Sequence, residues 1–265
     1  MERSLEYYKK AALNGNTEAI NRVGYFYSKG MGTKRDAQKA IKYYELAAKQ
    51  GNNYSLINLA NIHERGFGVH QNIEKAIEIY KQAAEKKVVE AFSRLGTIFE
   101  TEKNYDLAVH YYLSGSELGN VFCLHKLAYF YEHGVGVQKD LEKSFHFYKK
   151  GADLNDILSI VKLAKFYEDG SFVPKNLRNA FQLLQKAESL GSTFALARLG
   201  YYYENGVHVN VDVDKALHYY SLSANSGNKY AKRRYFFLKD QISREKYQKY
   251  KQKFLQDKFN KNKRY

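Results

Sequence analysis

Ala11-Ala12-Leu13-Asn14-Gly15-Asn16 and Ala47-Ala48-Lys49-Gln50-Gly51-Asn52 are one phrase written twice, 36 residues apart. It returns as Ser116-Glu117-Leu118-Gly119-Asn120, Glu188-Ser189-Leu190-Gly191-Ser192 and Asn225-Ser226-Gly227-Asn228. With Lys87 and Asn155 standing in two glycine slots, the column advances by 36, 36, 32, 36, 36 and 36 residues. A second glycine column, Gly30, Gly66, Gly134, Gly170 and Gly206, lies within the units. A fixed period of this length marks a stacked repeat array, in which each unit buries its apolar face against its neighbours. Six units result: 17–52, 53–88, 89–120, 121–156, 157–192 and 193–228.

Each unit predicts two antiparallel helices. The first carries a large-small pair (Val23-Gly24, Leu59-Ala60, Leu95-Gly96, Leu127-Ala128, Leu163-Ala164, Leu199-Gly200) and then an aromatic or apolar turn such as Tyr25-Phe26-Tyr27. Apolar residues at three- and four-residue intervals give a helix one buried stripe. The small member of the pair admits a neighbouring helix at close range. Glycine loops such as Gly66-Phe67-Gly68-Val69 end the first helix, because glycine takes a positive φ without steric cost. Asp36, Asn72, Asn104, Asp140, Asn176 and Asp212 then stand where the second helix needs an N-cap. The second helix continues through Ala40, Ala76, Ala108, Ser144, Ala180 and Ala216 to pairs such as Tyr43-Tyr44 and Tyr219-Tyr220.

The shared pattern, Ala-x3-Leu-Gly/Ala-x2-Tyr-Glu-x-Gly-x-Gly-Val-x-Lys-Asp-x4-Ala-x2-Tyr-Tyr-x2-Ala-Ala-x2-Gly, runs through residues 17–88 and 121–228. It resembles the Sel-one-like repeat family, relatives of the tetratricopeptide repeats. That resemblance implies an all-α, right-handed α-α superhelix and a non-catalytic scaffold or adaptor that assembles other proteins. It also implies that the first helices line a concave binding face. Residues projected onto that face are Glu18, Asn21, Tyr25; Tyr54, Ile57, Asn61; Glu90, Ser93, Thr97; Phe122, His125, Tyr129; Leu158, Val161, Lys165; and Phe194, Ala197, Tyr201. Phe122, Tyr129, Phe194 and Tyr201 would form an aromatic strip, of the residue type enriched at binding hot spots.

Three departures carry expectations. Unit 89–120 lacks the inner glycine loop, so Phe99–Asn104 should form a short turn. Lys87 in a positive-φ slot predicts strain or a rerouted connection, which Asn155 should tolerate better. Met1–Asn16 supplies only a second helix, either a natural cap or the remainder of a longer array.

The 265 residues carry a net charge of +15, and 229–265 holds 14 Lys/Arg against 3 Asp/Glu. Lys229–Leu238 fits the first helix of a seventh unit, and Ile242 to Phe259 predicts a final amphipathic helix with Ile242, Tyr247, Tyr250, Phe254 and Leu255 inward. Residues 261–265 should fray. A polar terminal cap explains the charge best. The alternative is a dock for nucleic acid or another anionic surface through Lys232, Arg233, Arg234, Lys246, Lys249, Lys251 and Lys253. Within the array, basic Arg22, Arg94, Lys126, Lys162, Arg198 and Arg234 alternate with acidic Glu64, Glu100, Glu132, Glu168, Glu204 and Asp240. These charges should pair between neighbouring units, or the acids accept from loop N–H groups.

Chemistry is sparse. His110, His146 and His218 share one column without a convincing third metal ligand, and Cys123 fills a slot held elsewhere by Ala or Ser. One cysteine excludes a disulfide framework. The glycine loops follow helices rather than strands and no Gly-Lys-Ser/Thr occurs, which argues against a phosphate cradle. There is no nucleophile elbow or His-Glu-x-x-His. No catalytic, metal or cofactor site is expected, no run approaches a membrane span, and the charged start lacks a signal-peptide core, so a cytoplasmic protein-binding role is expected.

Overall fold

The computed structural model describes the backbone of residues 1–262, and all their side chains except those of 245–247, 250–251 and 253–262. Among the described residues every regular element is an α-helix. The chain divides into two compact units, one over Met1–Asp140 and the other from Leu141 onward. The first contains α1 (Glu2–Leu13), α2 (Thr17–Lys29), α3 (Ala37–Lys49), α4 (Tyr54–Arg65), α5 (Ile73–Glu85), α6 (Val89–Thr101), α7 (Tyr105–Glu117) and α8 (Val121–His133). The second contains α9 (Leu141–Asp153), α10 (Ile157–Asp169), α11 (Leu177–Ser189), α12 (Thr193–Asn205), α13 (Val213–Asn225) and α14 (Lys229–Asn262). Within each unit consecutive helices pack in sequence, so each repeat's pair lies against the next.

The punctuation falls where the sequence places it. Gly30, Gly66, Gly134, Gly170 and Gly206 are left-handed C-caps, with φ between 64° and 72°. Asp36, Asn72, Asn104, Asn176 and Asp212 each accept from the backbone N–H three residues on, at 2.8–3.3 Å. Asn16, Asn120, Asp156, Ser192 and Asn228 do the same for first helices. The small residue of the large-small pair makes room for the tyrosine of its own second helix. A Cβ on Gly24 would stand 2.8 Å from the Tyr44 ring, and one on Gly200 2.8 Å from Tyr220. Tyr44, Tyr80, Tyr112, Tyr148 and Tyr220 are accordingly among the largest fully buried side chains.

A second small-residue column closes the junction between repeats. The side chain at the end of one second helix meets the start of the next first helix, and the two residues complement each other in volume. Gly115 faces Cys123 and Gly151 faces Ser159, while alanine pairs Ala83–Ala91 and Ala187–Ala195 occupy the same register elsewhere, all buried.

Three expectations are refined. Lys87 keeps the regular connection and takes the left-handed conformation itself, at φ 57°, with its N–H bonded to Ala84 O. Asn155 does likewise at φ 61°, and His208 at φ 63°. In the shortened repeat, α6 continues to Thr101 and the turn is only Glu102-Lys103-Asn104, narrower than Phe99–Asn104, with Lys103 at φ 61°. Finally, the separate terminal helix from Ile242 is not formed: α14 runs unbroken from Lys229 to Asn262. The cause is Ile242, which stands 36 residues after Gly206 in the column that ends every full-length first helix. A β-branched side chain opposes the left-handed cap, so the helix continues. Tyr247, Tyr250, Phe254 and Leu255 lie outside the described side chains. Lys261 and Asn262 are still helical, and the remainder of the tail expected to fray lies outside the described residues.

Candidate interaction face

First helices of consecutive repeats touch directly within each unit, α6 with α8 and α12 with α14. Their shared seam is stitched by an acid column. Glu100 takes a hydrogen bond from the Tyr112 hydroxyl of its own repeat at 2.6 Å and from Lys126 of the next repeat at 2.8 Å. Glu204 takes one from Tyr220 at 2.7 Å and pairs with Arg234. Glu168 pairs with Arg198 at 2.9 Å. Charges therefore do pair between neighbouring units, and the tyrosine hydroxyl that completes each set is an addition that the sequence pattern did not reveal. Burial, followed by the bond to its carboxylate, holds the Tyr112 and Tyr220 phenols protonated far above their ordinary range. In repeat 157–192 the second-helix tyrosine is Leu184, and the phenol of Tyr202 from the following repeat is buried beside Glu168 instead.

Each first helix presents three projected positions per repeat. The middle position turns into the seam: Asn21, Ile57 and Ala197 are buried, and Asn58 donates to Asn21 at 3.0 Å. They are thus packing residues, not open face, because side chains at this register point at the neighbouring helix. His125 shares this column and is half-buried. The outer positions are open. In the first unit Tyr54 is 67% exposed, Phe122 43% and Tyr129 40%. Tyr129 stacks on His133 with ring centroids 4.3 Å apart, and Lys126 lies over Phe122 at 5.7 Å. Tyr25 and Asn61 are half-buried, and the Asn61 amide lies 3.0 Å from the Tyr80 hydroxyl. In the second unit Phe194 is 55% exposed, Lys165 is exposed, and half-buried Tyr201 lies under the Arg198 guanidinium at 4.6 Å.

The basic end is less uniform than its composition. Lys232, Arg233 and Lys249 are exposed, whereas Arg234 is engaged by Glu204, so it is a structural cation and not part of a free patch. Lys246, Lys251 and Lys253 lie outside the described side chains. His110, His146 and His218 are exposed, and among the described residues no three His, Cys, Asp or Glu side chains gather as metal ligands. Burial pushes the Cys123 thiol up to about 12, which leaves it protonated and unreactive. Among the described residues no helix is long and apolar enough to cross a membrane.

At one junction the sequence lacks both members of the acid-cation ladder. Ser28 holds the acid's place in repeat 17–52 and Asn58 the cation's place in repeat 53–88. A cleft of about 210 Å³ opens there, lined by Tyr25, Ser28, Lys29, Tyr44, Asn58, Asn61, Arg65 and Arg94 among others. The vacant entries in both columns were the available sequence signal for it.

Comparison with known proteins agrees with this architecture. The family model described as Sel1 repeat matches residues 1–16, 17–52, 53–88, 94–120, 121–156, 157–192 and 193–228. The protective antigen c5321 of uropathogenic Escherichia coli strains, which displays an SLR fold, is 27% identical over 89% of this chain with a TM-score of 0.79. This chain spans about half, 52%, of that antigen's length. A Sel1 repeat protein from Oxalobacter formigenes is 25% identical over 85% of this chain and 100% of its own, with a TM-score of 0.69. None of the curated proteins matches significantly.

Proposed function

Because the chain belongs to the Sel1 repeat family, whose members are generally protein-interaction scaffolds, we propose that it is a non-catalytic scaffold recognising a protein or peptide along its first helices. One observation carries this reading: Tyr54, Phe122, Tyr129 and Phe194 leave large rings in solvent at the outer first-helix positions. Aromatic rings lose little conformational entropy on binding and bury much apolar surface, which suits them as anchors. A repeat stack is already ordered, so the partner, not the scaffold, bears most of the ordering cost. A single buried, protonated thiol suits the reducing cytoplasm, where we place the chain.

A photo-crosslinking residue placed at Phe122 or Phe194, with a control at exposed His146 on α9, tests the face. Partners captured at 122 or 194 but not at 146, and lost in Phe122→Ala/Tyr129→Ala with unchanged circular dichroism, are expected. Capture from His146 alone would refute the first-helix reading. Loss only in Lys232→Glu/Arg233→Glu/Lys249→Glu would move recognition to the basic end.

A further inference from the structure

We propose that the cleft between the repeats 17–52 and 53–88 is a binding site for an acidic side chain within an extended peptide. The inference rests on the scaffold reading and gives its partner a chemistry. Lys29, Arg65 and Arg94 all reach the cleft lining, and no carboxylate does. Lys29 and Arg65 are exposed and have no ion-pair partner among the described residues. Arg94 makes only a long, exposed pair with Glu90 on its own helix, at 3.4 Å. It does not close onto Glu64, whose Oε2 accepts the Tyr80 hydroxyl at 2.6 Å.

Neutral donors complete the lining. The Asn61 amide lies 3.0 Å from the Tyr80 hydroxyl, whose proton goes to Glu64, and contributes a polar group to the cleft wall. At the junctions Glu100–Lys126, Glu168–Arg198 and Glu204–Arg234 a carboxylate of the chain meets the cation of the next repeat. Here Ser28 and Asn58 remove both, so the cleft has donors and positive charge with no internal acid to satisfy them. A ligand carboxylate would supply the missing partner. Charge-assisted bonds from arginine and amide donors are the strong ones for such a group.

The occupant is an internal residue, not a chain end, because the cleft continues into a second one. That neighbour is lined by Glu18, Asn21, Arg22, Tyr25, Tyr54 and Asn58, and shares Tyr25 and Asn58 with the first. A chain seated at Arg94 can run on past Tyr25 to exposed Tyr54. A nucleic acid fits less well: exposed Glu18 and Glu90 flank the path, and three cations neutralise few phosphates.

The test is a peptide-display selection on the full chain. One library carries random twelve-residue segments followed by a fixed linker, and the other presents free C-termini. The same selection is run on Lys29→Ala/Arg65→Ala/Arg94→Ala, whose exposed (Lys29, Arg65) and half-buried (Arg94) side chains belong to no part of the buried core. Asp or Glu enriched at one internal position, lost in the variant, with Glu→Gln in the selected peptide weakening binding about tenfold, is the expected result. Binders without acidic enrichment, or enrichment unchanged in the variant, would overturn the cleft and leave the scaffold reading standing. No binder from either library would count against both. Enrichment confined to free C-termini, or tighter binding of a single-stranded oligonucleotide that the variant loses, would overturn the internal-side-chain assignment.

Discussion

Replacing Gly115 by alanine would place a methyl carbon 2.5 Å from Cys123 Sγ and 3.0 Å from Phe92 Cβ. Ordinary van der Waals contact begins near 3.4 Å, so the junction between α7 and α8 must open by roughly an ångström or the sulfur must move into an already filled core. Overpacking of this kind costs about 1–3 kcal/mol. Alanine's better helix propensity returns up to about 1 kcal/mol, leaving a net loss of about 1–2 kcal/mol. Cys123→Ala alone empties a sulfur-sized space against Gly115 and should cost about 1 kcal/mol. Together the two changes rebuild the alanine pair that Ala83–Ala91 and Ala187–Ala195 already form, all four fully buried. The double variant should therefore lie close to the parent, with a favourable coupling of about 1–3 kcal/mol. Urea unfolding followed by helical circular dichroism on all four proteins measures it. Additive losses, with coupling below about 0.5 kcal/mol, would refute the claim that these columns are matched in volume.

Two further outcomes follow from the backbone and the tyrosines. Lys87→Gly should stabilise by about 0.5–1 kcal/mol, because relief of a left-handed lysine outweighs glycine's unfolded-state entropy; a loss in the same urea series would show that Lys87 is held by something other than the turn. Alkaline titration should unfold the array. Burial, followed by the bonds to their acids, raises the phenols of Tyr80, Tyr112 and Tyr220, and burial, partly offset by the bond to Ser28, takes Tyr44 up to about 12. A raised folded value means the stabilisation is complete below the unfolded value of about 10 and drains away as pH rises beyond it. Phenolate absorbance should rise for the exposed rings first, and the buried ones should ionise only as helicity is lost. Ionisation of every tyrosine near 10 with helicity intact would contradict the buried bonds.

The repeat frame was legible because its signals are local. A glycine that must adopt positive φ, or an Asx that must accept from a first-turn N–H, betrays itself wherever the chain turns. Gly66, Asn72 and Asn120 are of this kind. The same logic, carried one column further, would have found the long α14: Ile242 sits where a glycine should, and nothing replaces it. The tyrosine-acid bonds were hidden for the opposite reason. Tyr43 and Tyr44 look alike in sequence, and only the packed pair of helices decides that Tyr44 points inward across Gly24 while its neighbour stacks on Tyr27. The face was half legible. Helical projection brought Tyr54, Phe122, Tyr129 and Phe194 to the outside, as the structure has them. It could not tell outer positions from the seam, because the turn of one helix toward the next depends on side-chain volumes in both.

The ladder also gives the junctions between repeats different keys. A repeat carrying Glu204 demands a cation such as Arg234 from whatever follows it, whereas one carrying Ser28 does not. Repeats spliced, duplicated or shuffled within this chain are therefore not interchangeable blocks. Setting repeat 53–88, with its Asn58, after repeat 157–192 would strand Glu168 without a guanidinium, and setting repeat 193–228 after 17–52 would strand Arg198. Copying of such units has to copy the lock together with its neighbour's key, and the junction at Ser28 and Asn58 is the one place in the ladder that carries neither.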